Sequence, residues 1–149
     1  MNERGDCFMQ EGKDRIEVEG NVQADAVMEL LRAVEDGKPW EGPLWNCITL
    51  FQNTSFTTSG RGSRPGIEFT YKLKISSRTG EPTDEMIVDR RENSKSITRS
   101  TVELGFANAL AEQAAMGFVK GPKKLKVFGS SYLYVIFLRW GVIRNRQEM

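Results

Sequence analysis

Residues 67–75 alternate without a break. Ile67, Phe69, Tyr71, Leu73 and Ile75 are apolar, and Glu68, Thr70, Lys72 and Lys74 stand between them. A period of two puts one set on each face of a strand. One face needs cover and the other can stay wet, as in an antiparallel sheet packed by helices on one side. A chain holding this strand is expected to be α+β. Tyr71 and Leu73 belong in its core, and Lys72 and Lys74 on the open face of the sheet.

The rest of the chain reads outward from that strand. Residues 1–20 are polar and unpatterned and are expected to form a flexible tail, with a short extended piece at 15–19. Residues 21–149 read as one domain. Asn21 can cap a first helix, whose apolar face is Val27, Leu30, Leu31 and Val34 and whose end is Gly37 before Pro39. Residues 45–57 are rich in aromatic and β-branched types and read as a strand. A Gly-Ser-Arg loop, 59–66, precedes the alternating strand, and Met86–Asp89 reads as a third strand. A second helix is expected near Ser100, from a capping box Ser100-x-x-Glu103 with Thr98 as the rival cap. Pro122 can open a further helical turn through Lys126. Tyr132–Leu138 is a continuous apolar run that fits a buried strand or a buried helix. A serine cap before it and Gly141 after it favour the helix. The expected order is α-β-β-β-α(-α), a three-stranded antiparallel sheet with helices packed on it.

Composition excludes whole classes of chemistry. There is no histidine among 149 residues, which removes Ser-His-Asp and Cys-His catalysis and His-ligated zinc. Cys7 and Cys47 are too few for a four-cysteine metal site, and neither suggests a disulfide framework. No apolar run approaches the ~18 residues that cross a bilayer, and the first residues lack a secretory signal. A cytoplasmic protein is expected, with no catalytic residues, no metal and no cofactor.

Charge is unevenly placed. The net charge is +1, but residues 1–60 hold 5 Lys+Arg against 11 Asp+Glu, a net −6, and residues 61–149 hold 16 against 9, a net +7. A basic half suits an anionic partner. Three clusters carry it. Arg90, Arg91, Lys95, Thr98, Arg99 and Ser100 lead into a helix start, where free N–H groups and the dipole favour phosphate. Lys120, Lys123, Lys124 and Lys126 surround a turn. Arg61 and Arg64 lie in a glycine-rich loop that could approach phosphate closely, although it lacks the ending of a Walker loop. The candidate contacts to DNA or RNA are Arg61, Arg64, Lys72, Lys74, Arg90, Arg91, Lys95, Thr98, Arg99, Ser100, Lys123 and Lys124.

The order α-β-β-β-α resembles the restriction-endonuclease core, which implies an Asp on one strand and Glu-x-Lys on the next. Here Glu68 and Lys72 are four apart, and Asp84, Glu85 and Asp89 lie at a turn and a strand end. The order also resembles the double-stranded RNA-binding domain, in topology only. That resemblance implies cations at the second helix start, where Lys95 and Arg99 stand. The stretches Ser96–Glu103 (SITRSTVE) and Gly121–Tyr134 (GPKKLKVFGSSYLY) resemble small uncharacterised proteins of phages and mobile elements in Gram-positive bacteria. This implies a role in DNA transactions, defence or counter-defence.

The expected function is non-catalytic nucleic-acid binding through a basic helix start and a lysine-rich turn. The alternative is an inhibitor of the anti-CRISPR or anti-restriction type that binds a host nucleic-acid enzyme. For that reading, Glu29, Glu35, Asp36 and Glu41 would mimic phosphates beside Trp40.

Overall fold

The computed structural model describes residues 11–60, 62–89 and 94–148. The chain divides into two compact units, Met1–Leu50 and Phe51–Met149. This boundary coincides with the charge divide, because residues 51–60 carry no charged side chain. The first unit is therefore the −6 part and the second the +7 part.

The first unit is a helical hairpin of α1 (Glu11–Glu35) and α2 (Glu41–Leu50). Helix α1 starts ten residues before the expected Asn21 cap and runs through the extended piece expected at 15–19. The Glu, Lys and Arg of this stretch are good helix formers, and no proline interrupts them. Of the expected tail, residues 1–10 and with them Cys7 lie outside the described residues. Gly37, at φ 68, ends α1 as expected. The amide of Lys38 bonds back to the carbonyl of Ala33 at 2.9 Å. Gln23 Nε2 donates to the Leu50 carbonyl at 2.9 Å, so α2 returns along α1.

Helix α2 replaces the first part, residues 45–50, of the strand expected at 45–57. Its buried residues are Leu44, Trp45, Cys47 and Ile48, a helical rather than an alternating pattern. The Leu44 amide reaches the Trp40 carbonyl at 2.8 Å, and Thr49 Oγ1 donates to the Trp45 carbonyl at 2.9 Å. Burial of two successive turns outweighs the β preference of Trp45, Ile48 and Thr49.

Cys47 is fully buried on α2. Desolvation, with a smaller push from the Glu29 carboxylate, raises its thiol from 9.0 to about 12. At pH 8 the thiolate is then only about one part in ten thousand. Native protein is expected to leave Cys47 unalkylated by iodoacetamide, and urea-unfolded protein to react fully, as read by peptide mass mapping. Because the folded value is the raised one, Cys47 contributes its stability in full below pH 9.0. That contribution falls away as pH rises toward 12.

The second unit is the α+β part. Four antiparallel strands, β1 (Phe56–Thr57), β2 (Glu68–Ile75), β3 (Pro82–Asp89) and β4 (Ser94–Thr98), lie in that order across one sheet. Helices α3 (Arg99–Met116) and α4 (Ser130–Trp140) complete it. Of the strand expected at 45–57, only the end pairs with β2. Phe56 faces Phe69, the Asn53 amide meets the Tyr71 carbonyl, and Gln52 Oε1 accepts from the Leu73 amide at 2.8 Å.

Strand β2 behaves as its alternation requires over its middle. Phe69, Tyr71 and Leu73 are buried, and Lys72 and Lys74 are exposed. The pattern fails at both ends. Ile67 precedes the strand, and Ile75 lies beyond a register shift, so these are 45% and 55% exposed. Strand β4 occupies the stretch expected to lead into a helix. It is mostly polar, and only Ile97 goes into the core, opposite Met86.

The packed face of the sheet is aromatic. Phe69 meets Tyr132 edge-on at 5.0 Å, and Phe106 of α3 meets Phe137 of α4 at 5.0 Å. Residues 130–140 are thus the helix, ended by Gly141 at φ 77. Six of its residues are buried, among them Tyr132 against the sheet and Phe137 against α3. Among the described residues no helix is long and apolar enough to cross a membrane.

Candidate nucleic-acid interface

The helix start expected to hold phosphate is engaged within the fold. Thr98, at the extended end of β4, caps α3 by accepting from the Thr101 amide at 3.4 Å. Ser100 is therefore inside the helix and not its cap, and its hydroxyl lies 3.2 Å from that of Thr98. Glu103 does not close a capping box. It accepts from Arg99 Nε at 2.9 Å, while another guanidinium nitrogen of Arg99 lies 3.8 Å from Asp84. Arg99 is only one-third exposed, with two carboxylates as partners. A phosphate there would have to compete with both.

Lys95 takes a different direction from Arg99. It pairs with Val88 across the β3–β4 ladder, which puts it on the helix side of the sheet. Its Nζ sits 5.9 Å from the ring centre of Phe128. Arg90 and Arg91, from the same expected cluster, lie outside the described residues.

The open face of the sheet is mixed in charge. Lys72 stands opposite Ile87, whose neighbours on that face are Glu85 and Asp89; Glu68 shares the face along β2. Ser96 donates to Glu85 across β4. Two lysines among three carboxylates make a poor phosphate track. Replacing Lys72→Gln together with Lys74→Gln is expected to change stability by under ~1 kcal/mol and nucleic-acid affinity by less than about threefold, by urea titration and fluorescence anisotropy.

The glycine-rich loop has a structural reason for Gly66. A Cβ on Gly66 would lie 1.9 Å from the Thr58 carbonyl oxygen. The chains meet there through Thr58 N–H to the Ile67 carbonyl at 2.9 Å and Ile67 N–H to Thr58 Oγ1 at 2.8 Å. Arg64 is exposed at this hairpin, and Arg61 lies outside the described residues. The acidic candidates for a metal are also apart. Glu85 and Asp89 share the open face, whereas Asp84 turns toward Arg99. No group of three metal-ligating side chains gathers among the described residues.

What the fold does bring together is the lysine turn. Pro122–Leu125 form one 3-10 turn, closed by Lys126 at φ 57. Leu125 is fully buried, and its carbonyl accepts from Asn108 Nδ2 of α3 at 2.7 Å. Tyr134 OH donates to the Val119 carbonyl at 2.9 Å. The turn is thus held from beneath on both sides. Lys120, Lys123, Lys124 and Lys126 line an open hollow of roughly 460 Å³ with Gly121 and Pro122. Lys124 lies 3.9 Å from Glu112, while Lys120, Lys123 and Lys126 make no ion pair among the described residues.

Two residues past Lys126 is Phe128, 60% exposed. Gly129 then turns the chain into α4 at φ 80, so close to β4 that a Cβ would lie 2.4 Å from Ile97 Cδ1. No acidic side chain follows in the first turn of α4, which holds Ser130 and Ser131. Lys120, Lys126 and Phe128 complete the basic surface without being among the expected contacts. The signal for Phe128 was an aromatic between a lysine turn and a helix-starting glycine. No protein-family model matches the chain, and no curated protein or solved structure is significantly similar to it.

Proposed function

We propose that the chain is a non-catalytic nucleic-acid-binding protein that grips the phosphate backbone with the turn Lys120–Lys126. The observation that carries this reading is four lysines around one open hollow, in a unit of net charge +7. Lysine ammoniums are compact, mobile point charges, suited to phosphates and indifferent to base sequence. Three arginines of the same unit are tied to the fold, Arg99 by its two carboxylates and two others by backbone carbonyls. Arg139 donates to the Ser55 carbonyl at 2.7 Å and Arg144 to the Gly117 carbonyl at 2.9 Å. Binding should therefore be salt-dependent and weakly sequence-selective. An anisotropy titration with DNA and RNA at low salt tests it. No binding below about 100 μM would remove the proposal, since ordinary non-specific binders reach that range.

A second reading rests on the first unit, where Glu29, Glu35, Asp36 and Glu41 are all exposed within a net charge of −6. Such a surface suits an inhibitor that presents carboxylates in place of phosphates to a nucleic-acid enzyme. That complex would survive nuclease treatment, whereas partners bridged by nucleic acid would be lost.

A further inference from the structure

We propose that the preferred ligand is single-stranded nucleic acid, one of whose bases stacks on Phe128 while the adjoining phosphates lie over the lysine turn. This rests on the reading of the turn as a phosphate site and adds the class of strand it takes. Among the described residues Phe128 is the most exposed large apolar side chain, at 60%, although Phe56, Phe69, Phe106 and Phe137 are all buried. Its position is built rather than incidental. Gly129 is locked against Ile97 on one side of it, and Val127 packs against Gly105 on the other. Lys95 from β4 is drawn over the ring, 5.9 Å from its centre.

An exposed ring beside cations matches what an unpaired base requires: a flat apolar surface and a charge for the phosphate next to it. Lys126 is two residues from Phe128, so their Cα atoms are at most about 7 Å apart, near the phosphate spacing of an extended strand. A duplex hides its base faces in the stack and can use only the lysines. Single strands therefore gain a contact that duplexes lack.

The test uses the full chain, with fluorescein-labelled single-stranded DNA, single-stranded RNA and duplex DNA of equal length, read by anisotropy. The wild type is expected to bind the single strands about tenfold or more tightly than the duplex. Phe128→Leu keeps the apolar bulk but removes the stacking surface. It is expected to weaken single-strand binding about 10–100-fold with little change on duplex, and Phe128→Tyr is expected to retain it. Equal binding of single strands and duplex, with Phe128→Leu unchanged, overturns the stacking proposal and leaves the lysine turn standing. Absence of binding to all three probes overturns both.

Discussion

Phe137→Ala is expected to lower stability by about 3–5 kcal/mol. The side chain is fully buried on α4, edge-on to Phe106 at 5.0 Å and 6.1 Å from Trp140. Truncation removes the transfer energy of a whole ring. It also leaves a cavity between two helices whose positions are fixed by other contacts, so collapse can fill little of it. Against ordinary totals of about 5–15 kcal/mol this loss can unfold the chain near room temperature. Phe137→Leu, which keeps more of the volume, should stay folded and lose less. Phe128→Ala makes the same chemical change at an exposed site and should cost under ~1 kcal/mol. Urea melts of these variants check the ranking. A Phe137→Ala midpoint close to that of the wild type would show that α4 does not pack on α3 as described.

The largest effect on binding is expected from Lys120→Gln, Lys123→Gln and Lys126→Gln together. The three residues make no ion pair among the described residues, and Lys120, Lys123 and Lys126 are all exposed. Removing their charge should therefore leave folding almost untouched. Each phosphate contact to a single strand releases about 0.7 counterion. Three lost contacts correspond to roughly a 10²–10³-fold loss of affinity at about 50 mM salt. Lys124 is not in the set because it also faces Glu112, and its removal would mix two effects.

The legible parts of the fold were those whose pattern and packing agree. The middle of β2 alternates and is half buried, and the apolar run of α4 carries Gly141 as a stop. Helix α2 was illegible because its residue types favour strands while its buried positions follow a helical turn. Strand β4 was hidden for the opposite reason. With only Ile97 to bury, Ser94–Thr98 has no apolar alternation, and the ladder to β3 defines it.

The candidate site was legible in its charges but not in their directions. Lys95 and Arg99 are four apart in sequence, yet one lies over Phe128 and the other between Glu103 and Asp84. That separation depends on β4 ending at Thr98, where strand parity gives way to a helical turn. The lysine turn was visible as a cluster. Its support by Leu125 and Asn108, and its continuity with Phe128, come from packing distant in sequence.

The central claim is that the Lys120–Lys126 turn holds phosphate, and the salt dependence of binding tests it most directly. The logarithm of the association constant is plotted against the logarithm of salt concentration for wild type and for the Lys120→Gln, Lys123→Gln, Lys126→Gln variant on one single-stranded probe. The wild-type line should be steep, and the variant's shallower by about two units of slope, since three contacts at about 0.7 each are gone. Parallel lines of equal affinity from a folded variant would contradict the account.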